Sequence, residues 1–281
     1  MLDPMREQLM RLAQRLQQDD IKLIVGGGYG LILKGEYLRQ NDLRTRFPDF
    51  PEDRSTNDID IFLSTEIITD VTKSETIRDV LAELGFVPVA HYFQFEVPLG
   101  HLKVKIDLLA APVPAAQKKL VQIKKPRIRP KGATNIHGFL TEEAITLEEE
   151  LLSFNLADKA KPIEIFLLHP FTYLVLKLFA LRDRLADERK DYGAYHAFDI
   201  YRVIAMFTEA EWEQAVRLRD QFATASVMRE ARKIVGELFL SEASTGILRI
   251  RQHARKTDTD ISLNHIQSLI TDLNELFPEN Y

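Results

Sequence analysis

A change in the pattern of hydrophobic residues near residue 160 constrains the fold more than any other feature of the sequence. Before it, short β-rich runs such as Lys22 to Val25 and Asp58 to Leu63 alternate with helical segments, the first of which is predicted to begin at Asp3-Pro4. The runs Val87 to Val97 and Leu102 to Leu109 are predicted to pair as strands around the turn Pro98-Leu99-Gly100, and a further strand is predicted near Gly138 to Ile145. From about Ile163 onward the apolar residues follow a helical period, which predicts helices over 170–186, 193–207, 209–220, 225–240, 243–255 and 261–276. We therefore expect an α/β (α+β) core with a small mixed sheet over residues 1–160. An all-helical C-terminal subdomain is expected over residues 161–281, with a cleft between the two.

The composition excludes several classes of protein. Hydrophobic residues make up 45% of the chain and charged residues 28%, which is typical of a globular rather than a disordered protein. The first helical segment is interrupted by Arg6, Arg11 and Arg15, and no apolar run approaches the ~18 residues that span a bilayer, so we expect no signal peptide and no membrane association. The absence of cysteine excludes disulfides and thiolate metal sites, and the cytoplasm is the expected compartment.

Three aspartates lie on two predicted strands. Asp58 and Asp60 alternate with aliphatic residues, so a strand there places both carboxylates on one face. Asp107 lies in a second apolar strand, Lys105-Ile106-Asp107-Leu108. Carboxylates held on rigid strands can share magnesium ions, which also bind phosphate oxygens. A solvated strand face would be the better explanation of an isolated Asp-x-Asp pair, but the combination of this pair with the third acid favours a metal site.

A glycine triplet adds a second element. Lys22 to Val25 runs into Gly26-Gly27-Gly28, and Tyr29 to Leu38 then has a helical pattern. Glycine lets a phosphate approach the backbone closely, and the following helix offers free N–H groups at its N-terminus. A tight strand-to-helix turn would select the same residues, so both explanations remain open.

Taken together, these segments resemble a known family. Gly27-Gly28, Arg54-Ser55-Thr56-Asn57-Asp58-Ile59-Asp60-Ile61 and Ile106-Asp107-Leu108 resemble the DNA polymerase β-like nucleotidyltransferase superfamily. More narrowly they resemble its AbiEii-type group, which includes toxins of bacterial toxin–antitoxin systems. The helical motif of that group, Lys-x-x-Ala-x-x-x-Arg followed by Lys-Asp and a further Asp, is matched by Lys177, Ala180, Arg184, Lys190-Asp191 and Asp199. The resemblance covers roughly residues 20–205. We expect Asp191 and Asp199 to hold the cations of this motif and the helix packing in place rather than to bind metal.

The resemblance implies transfer of a nucleoside monophosphate from an NTP to an acceptor hydroxyl by two-metal catalysis. The cofactor would be two Mg²⁺ ions, which Mn²⁺ can replace. The implied metal ligands are Asp58, Asp60 and Asp107, and the implied catalytic residues are these three and Lys177. The implied nucleotide-binding residues are Gly27, Gly28, Ser55, Lys177 and Arg184. The implied acceptor is the 3′ end of a tRNA or another RNA, or a protein side chain, and an antitoxin protein is an expected partner.

Two other functions remain open from the sequence. One is an antibiotic-type nucleotidyltransferase that acts on a small-molecule hydroxyl. The other is a non-catalytic nucleotide-binding module on the same fold. The net charge of −5 excludes nucleic-acid binding through overall charge, but residues 118–131 contain seven lysines and arginines and no acid. That segment is either a solvated hairpin edge or a surface that faces phosphates. The 39–57 insertion is either a lid, an acceptor-binding loop or an ornament, and no motif covers residues 209–281.

Overall fold

The computed structural model describes residues 3–51, 56, 58–100, 102–157 and 162–279. The chain divides into two compact units. The first comprises Met1–Tyr37 and Arg54–Leu168, and the second comprises Leu38–Asp53 and His169–Tyr281. Where the sequence suggested two consecutive segments, both units are discontinuous: the second includes 38–53, and the first extends to residue 168.

The first unit contains the strands, which join in one mixed sheet. Within the described residues they are β1 Ile24–Gly26, β2 Asp58–Leu63, β3 Val87–Ala90, β4 Gln94–Leu99, β5 Leu102–Ala110, β6 Val121–Lys124, β7 Arg127–Pro130, β8 Gly138–Leu140, β9 Leu152–Asn155 and β10 Glu164–Leu167. The main order is β6-β7-β8-β5-β2-β1-β10-β9, and the β3–β4 hairpin joins through β4 to β5. The pairs β1–β10, β2–β5 and β5–β8 are parallel, and the others are antiparallel. The fold is therefore mixed α/β, and its ten-stranded sheet is larger than the small sheet expected.

Four helices accompany this sheet: α1 Pro4–Gln17, α2 Gly27–Gln40, α3 Thr65–Thr69 and α4 Val71–Glu83. Helix α1 begins as the sequence predicts, because the Asp3 side chain accepts a hydrogen bond from the Met5 N–H and Pro4 occupies the first helical position. Leu9 and Leu12 of α1 are fully buried in one core with Ile106 and Leu108 of β5. The helices thus cover the aliphatic face of β2 and β5, and the aspartates on the opposite face are not part of this core.

Some strands differ from the expectation. The predicted strand from Val87 to Val97 is two strands, β3 and β4, because His91 and Tyr92 take positive φ angles of 45° and 60° and turn the chain back. The predicted strand from Gly138 to Ile145 ends at Leu140. Strands β9 and β10 were not predicted, since each has four residues and β10 pairs with β1, which lies far away in the sequence.

The described residues of the second unit form helices joined by turns and loops, with an irregular segment at 41–51, and they include no strand. Its six helices are α5 Pro170–Arg184, α6 Ala194–Ala205, α7 Glu209–Gln221, α8 Ser226–Leu238, α9 Thr245–Lys256 and α10 Leu263–Leu276. All six agree with the predicted helices to within about two residues at each end, apart from the ordinary fraying of helix termini. None of the helices in the described part of the chain combines the length and the apolar character needed to cross a bilayer.

Part of the 39–57 insertion is a strap on the second unit. The Arg46 N–H donates to the Phe207 carbonyl at 2.8 Å, and the Phe47 N–H donates to the Ala205 carbonyl at 3.1 Å. The Arg46 guanidinium binds the buried carboxylate of Asp272, with Nε 2.9 Å from Oδ2, and lies over the Trp212 ring. Residues 44–47 are therefore docked on the helices and do not form a free-standing lid.

Candidate active site

The three predicted aspartates lie on the same face of two adjacent parallel strands. Asp60 of β2 is the register partner of Asp107 of β5, and Asp58 is the partner of Lys105. Residues directly opposite each other on neighbouring strands point to the same face, as do residues two apart on one strand. The alternate residues Ile59 and Ile106 are fully buried, while the three acids are partly exposed. The alternation predicted from the sequence thus places the carboxylates together, away from the core.

Gly27 and Asp60 are in direct contact. Gly26 is the register partner of Asp60, and the chain turns at Gly27, where φ is +61°, into helix α2. A Cβ atom added to Gly27 would lie 1.6 Å from Asp60 Oδ2 and 2.6 Å from its Cγ. Only glycine therefore allows both the left-handed turn and this close approach. The Asp60 carboxylate lies against the first residue of α2, where the helix dipole is positive.

The ionisation of Asp107 is perturbed by its surroundings. Burial raises the pKa of its carboxyl, and the neighbouring Asp58 carboxylate raises it further. A hydrogen bond from Gln94 Nε2 to Asp107 Oδ1, 2.8 Å long, and the charge of Lys105 lower the pKa, but they do not reverse its direction. An acid whose pKa lies above the ordinary range is a suitable acceptor for a proton from a hydroxyl.

Gln94 and Lys105 belong to this site although the sequence did not identify them as site residues. Lys105 lies two residues before Asp107 on the same strand, so alternation alone could have placed it on the aspartate face. Gln94 is the register partner of Asp107 across the β4–β5 hairpin. The predicted turn near Pro98-Leu99-Gly100 could have indicated that pairing, but the register depends on the exact turn residues.

The site fits a divalent cation in charge and donor type. Every proposed ligand offers a hard carboxylate oxygen, which is the donor that magnesium prefers. A cation would also relieve the repulsion that Asp58 exerts on Asp107. Among the described residues no three His, Asp or Glu side chains already converge as metal ligands. Asp60 packs on Gly27 and Asp107 accepts from Gln94, so metal binding would require these carboxylates to turn toward one another.

Of the other predicted nucleotide-binding residues in this unit, the structure describes Gly28 but not Ser55. Gly28 is buried in the first turn of α2, directly after Gly27. Ser55 lies outside the described residues, as do Arg54 and Asn57. Thr56 is described, and its hydroxyl donates to the Asp58 carbonyl at 3.4 Å.

Lys177, from the helical motif, is engaged in a buried ion pair. Its Nζ lies 2.7 Å from Asp199 Oδ2, and Arg202 Nη1 lies 3.8 Å from Asp199 Oδ1. The three side chains are at most 8% exposed. In this arrangement the Asp199 carboxylate neutralises much of the charge of the Lys177 ammonium group.

Arg184 is less committed than Lys177. Its Nε atom is buried and has no hydrogen-bond partner within the described residues. Asp191, which was expected to hold the motif's cations in place, instead accepts hydrogen bonds from Gln252 and Lys256 of α9. The roles of Lys177 and Arg184 in nucleotide binding stay predictions.

The sequence was compared with known proteins. No protein-family model matches it, and no curated protein is significantly similar to it.

Proposed function

We propose that the chain is a metal-dependent nucleotidyltransferase of the DNA polymerase β-like superfamily, close to the AbiEii-type group. On this proposal the first unit is the nucleotidyltransferase core and the second is its helical subdomain. The observation that carries the proposal is the placement of Asp58, Asp60 and Asp107 on one sheet face, with Asp60 against the glycine turn that opens α2. Three like charges kept together cost stability, and a site that binds a cation gives a reason to retain them.

The proposed reaction transfers a nucleoside monophosphate. The acceptor oxygen forms a bond to the α-phosphorus of an NTP, the bond to the bridging β-phosphate oxygen breaks, and pyrophosphate leaves. Asp58, Asp60 and Asp107 would hold magnesium, with manganese as a substitute. When bound there, the metal would neutralise charge on the phosphate oxygens and lower the pKa of the acceptor hydroxyl.

The chain's own residues supply binding and proton transfer. Asp107 helps to accept the hydroxyl proton, and Gln94 orients its carboxylate. The free N–H groups at the start of α2, beginning with Gly27 and Gly28, bind phosphate oxygens. Arg184 has an uncommitted donor for a phosphate. Lys177 can play that part only if it is released from Asp199.

The test is transfer of label from each α-³²P-labelled NTP, with Mg²⁺, to total cellular RNA, to protein or to an aminoglycoside. Wild type is compared with Asp60→Asn and Asp107→Asn, which keep side-chain shape and remove charge. Asp49→Asn is the matched control, because Asp49 is exposed and lies in the other unit. We expect wild type and the control to transfer label, and both site variants to lose at least ~10³-fold in rate.

Each result has a definite meaning. Label on an aminoglycoside alone would favour the antibiotic-type enzyme over one that acts on RNA or protein. NTP binding without transfer to any acceptor would contradict the catalytic proposal and favour a nucleotide-binding module. Equal transfer by wild type and the site variants would show that the three aspartates are not the active site. An RNA or protein acceptor would open the question of a toxin with an antitoxin partner.

A further inference from the structure

A small cleft on the basic hairpin contains an unusual concentration of positive charge. Strands β6 and β7 pair as a hairpin, with Lys124 opposite Arg127 and Gln122 opposite Arg129. With His137, just before β8, these residues line a cleft of about 290 Å³: Gln122, Lys124, Arg127, Arg129 and His137. The cleft is therefore lined by three cations, an amide and an imidazole, and by no acid.

The cleft's cations are not neutralised by neighbouring acids. No Asp or Glu occurs anywhere between Leu108 and Thr141. Within the described residues, the single carboxylate that pairs with the basic segment is Glu142, and it binds Lys125, which does not line the cleft. Hairpins with solvated lysine edges need no such arrangement, because scattered lysines already prevent edge-to-edge pairing.

Two of the lining side chains are held in place by the fold. Arg129 donates from Nε and Nη2 to Gln122 Oε1 and from Nη1 to the Ala133 carbonyl, at 3.1, 2.7 and 2.5 Å. The His137 Nδ1 atom lies 2.6 Å from the His91 carbonyl oxygen, which can only accept, so Nδ1 carries the proton. Burial lowers the pKa of His137, and the nearby charges of Arg129 and Arg127 lower it further. The cleft is therefore a preformed, electropositive site.

The cleft and the aspartates lie on the same face of the sheet. Across successive strands Leu109 pairs with Phe139, Phe139 pairs with Arg127, and Arg127 pairs with Lys124. Paired residues share a face, and Leu109 is two residues from Asp107 on β5. Two strand spacings across and two residues along the strand place Arg127 about 12 Å from Asp107. One extended polyanion could contact both.

We propose that this cleft binds the phosphodiester backbone of a nucleic-acid strand whose end reaches the aspartate site. The inference rests on the proposed function for what happens at that end, and it names the acceptor as a nucleic acid rather than a small molecule. The binding surface itself is independent of the chemistry. Lys124 and Arg127 supply charge to the phosphates, Arg129 supplies a guanidinium held in place by the fold, and the net charge of −5 of the whole chain disfavours nucleic-acid binding at other surfaces.

The test is direct binding of a 5′-fluorescein-labelled, mixed-sequence 20-nucleotide RNA, measured by anisotropy at several salt concentrations without NTP or metal. Arg127→Glu and Lys124→Glu are compared with Arg11→Glu, which makes the same charge change. Arg11 is an exposed residue of α1, and α1 packs on the opposite face of the same sheet. The side chains of Lys124 and Arg127 make no hydrogen bond within the described residues, so both variants should fold, which circular dichroism checks.

We expect wild type to bind with an affinity that falls steeply with salt. Each cleft variant should bind at least ~10-fold more weakly at low salt, with a slope of log K against log salt reduced by about 1. Arg11→Glu should stay within about twofold of wild type. No binding by wild type, or the same loss from Arg11→Glu, would overturn the proposal. Displacement of the RNA by inorganic phosphate at an equal concentration of phosphate groups would also overturn it, because the cleft would then be a site for free phosphate.

This test and the transfer assay fail separately. Normal RNA binding without transfer from any NTP would leave the cleft in place and remove the proposed function. Transfer to a small acceptor without RNA binding would support the proposed function and overturn the proposal that the cleft binds nucleic acid.

Discussion

The contact between Gly27 and Asp60 can be tested quantitatively by replacing Gly27 with alanine. At a φ of +61° an L-residue costs roughly 1–2 kcal/mol more than glycine. The new Cβ would also lie 1.6 Å from Asp60 Oδ2, so the carboxylate or the turn must move, and overpacking of this kind costs about 1–3 kcal/mol. We therefore expect Gly27→Ala to lower the free energy of unfolding by about 2–5 kcal/mol.

Gly100 provides the matched control for this substitution. Its φ is +63°, nearly the same, but nothing lies within 4 Å of an added Cβ. Gly100→Ala should therefore cost only the backbone strain, about 1–2 kcal/mol. In an Asp60→Ala background the excess cost of Gly27→Ala should shrink, because most of the clashing atoms are absent.

Urea denaturation followed by circular dichroism measures all of these variants. If Gly27→Ala costs no more than Gly100→Ala, Asp60 does not pack on the glycine turn in solution. The geometric argument for a phosphate and metal site at this turn would then lose its basis.

Three further predictions follow from the charged groups. Asp107→Asn should raise stability at pH 7 by about 1 kcal/mol, or about 2–4 °C in melting temperature, while Asp49→Asn should not. Because the pKa of Asp107 is raised in the folded state, ionisation of its carboxyl favours the unfolded chain. The gain in stability should therefore be full above the folded-state pKa and should vanish as the pH falls toward the ordinary value of 3.8. A gain that does not depend on pH would contradict this prediction. Asp199→Ala should destabilise by about 3–5 kcal/mol in the same denaturation assay, since it leaves two buried cations without their carboxylate, and a loss below 1 kcal/mol would show that the pair is solvated. Arg46→Ala should cost about 2–4 kcal/mol because it strands the buried carboxylate of Asp272 and removes the cation–π contact with Trp212, and heating monitored by circular dichroism would detect it.

The parts of the fold that could be predicted from the sequence are those that depend on local sequence patterns. The Asp3-Pro4 start of α1, the six C-terminal helices and the shared face of Asp58 and Asp60 each depend on residues a few positions apart. A period of two or of 3.6 records such relations directly.

The parts that were not predicted depend on distant partners. Strand β10 has only four residues, and its place in the sheet is set by β1, which precedes it by about 140 positions. The docking of Arg46 on Asp272 spans 226 residues, and no local pattern encodes it. At the candidate site the sequence identified the aspartates and the glycine turn. It did not identify Gln94 as a partner of Asp107, because that pairing needs the exact hairpin register.

The interleaving of the two units affects how the chain can fold during synthesis. The first unit lacks the parallel partner of β1 until Glu164–Leu167 has been made, although β1 itself is among the first strands to be translated. The second unit includes residues 38–53, but Asp272 of α10 is made 226 residues after its partner Arg46. At about 5–20 residues per second, Arg46 waits some ten seconds or longer for its carboxylate. The first unit can therefore be completed once residue 168 has been made, whereas residues 38–53 of the second unit must wait until α10 has been made. Cutting the gene near codon 160 would separate each unit from a segment that completes it.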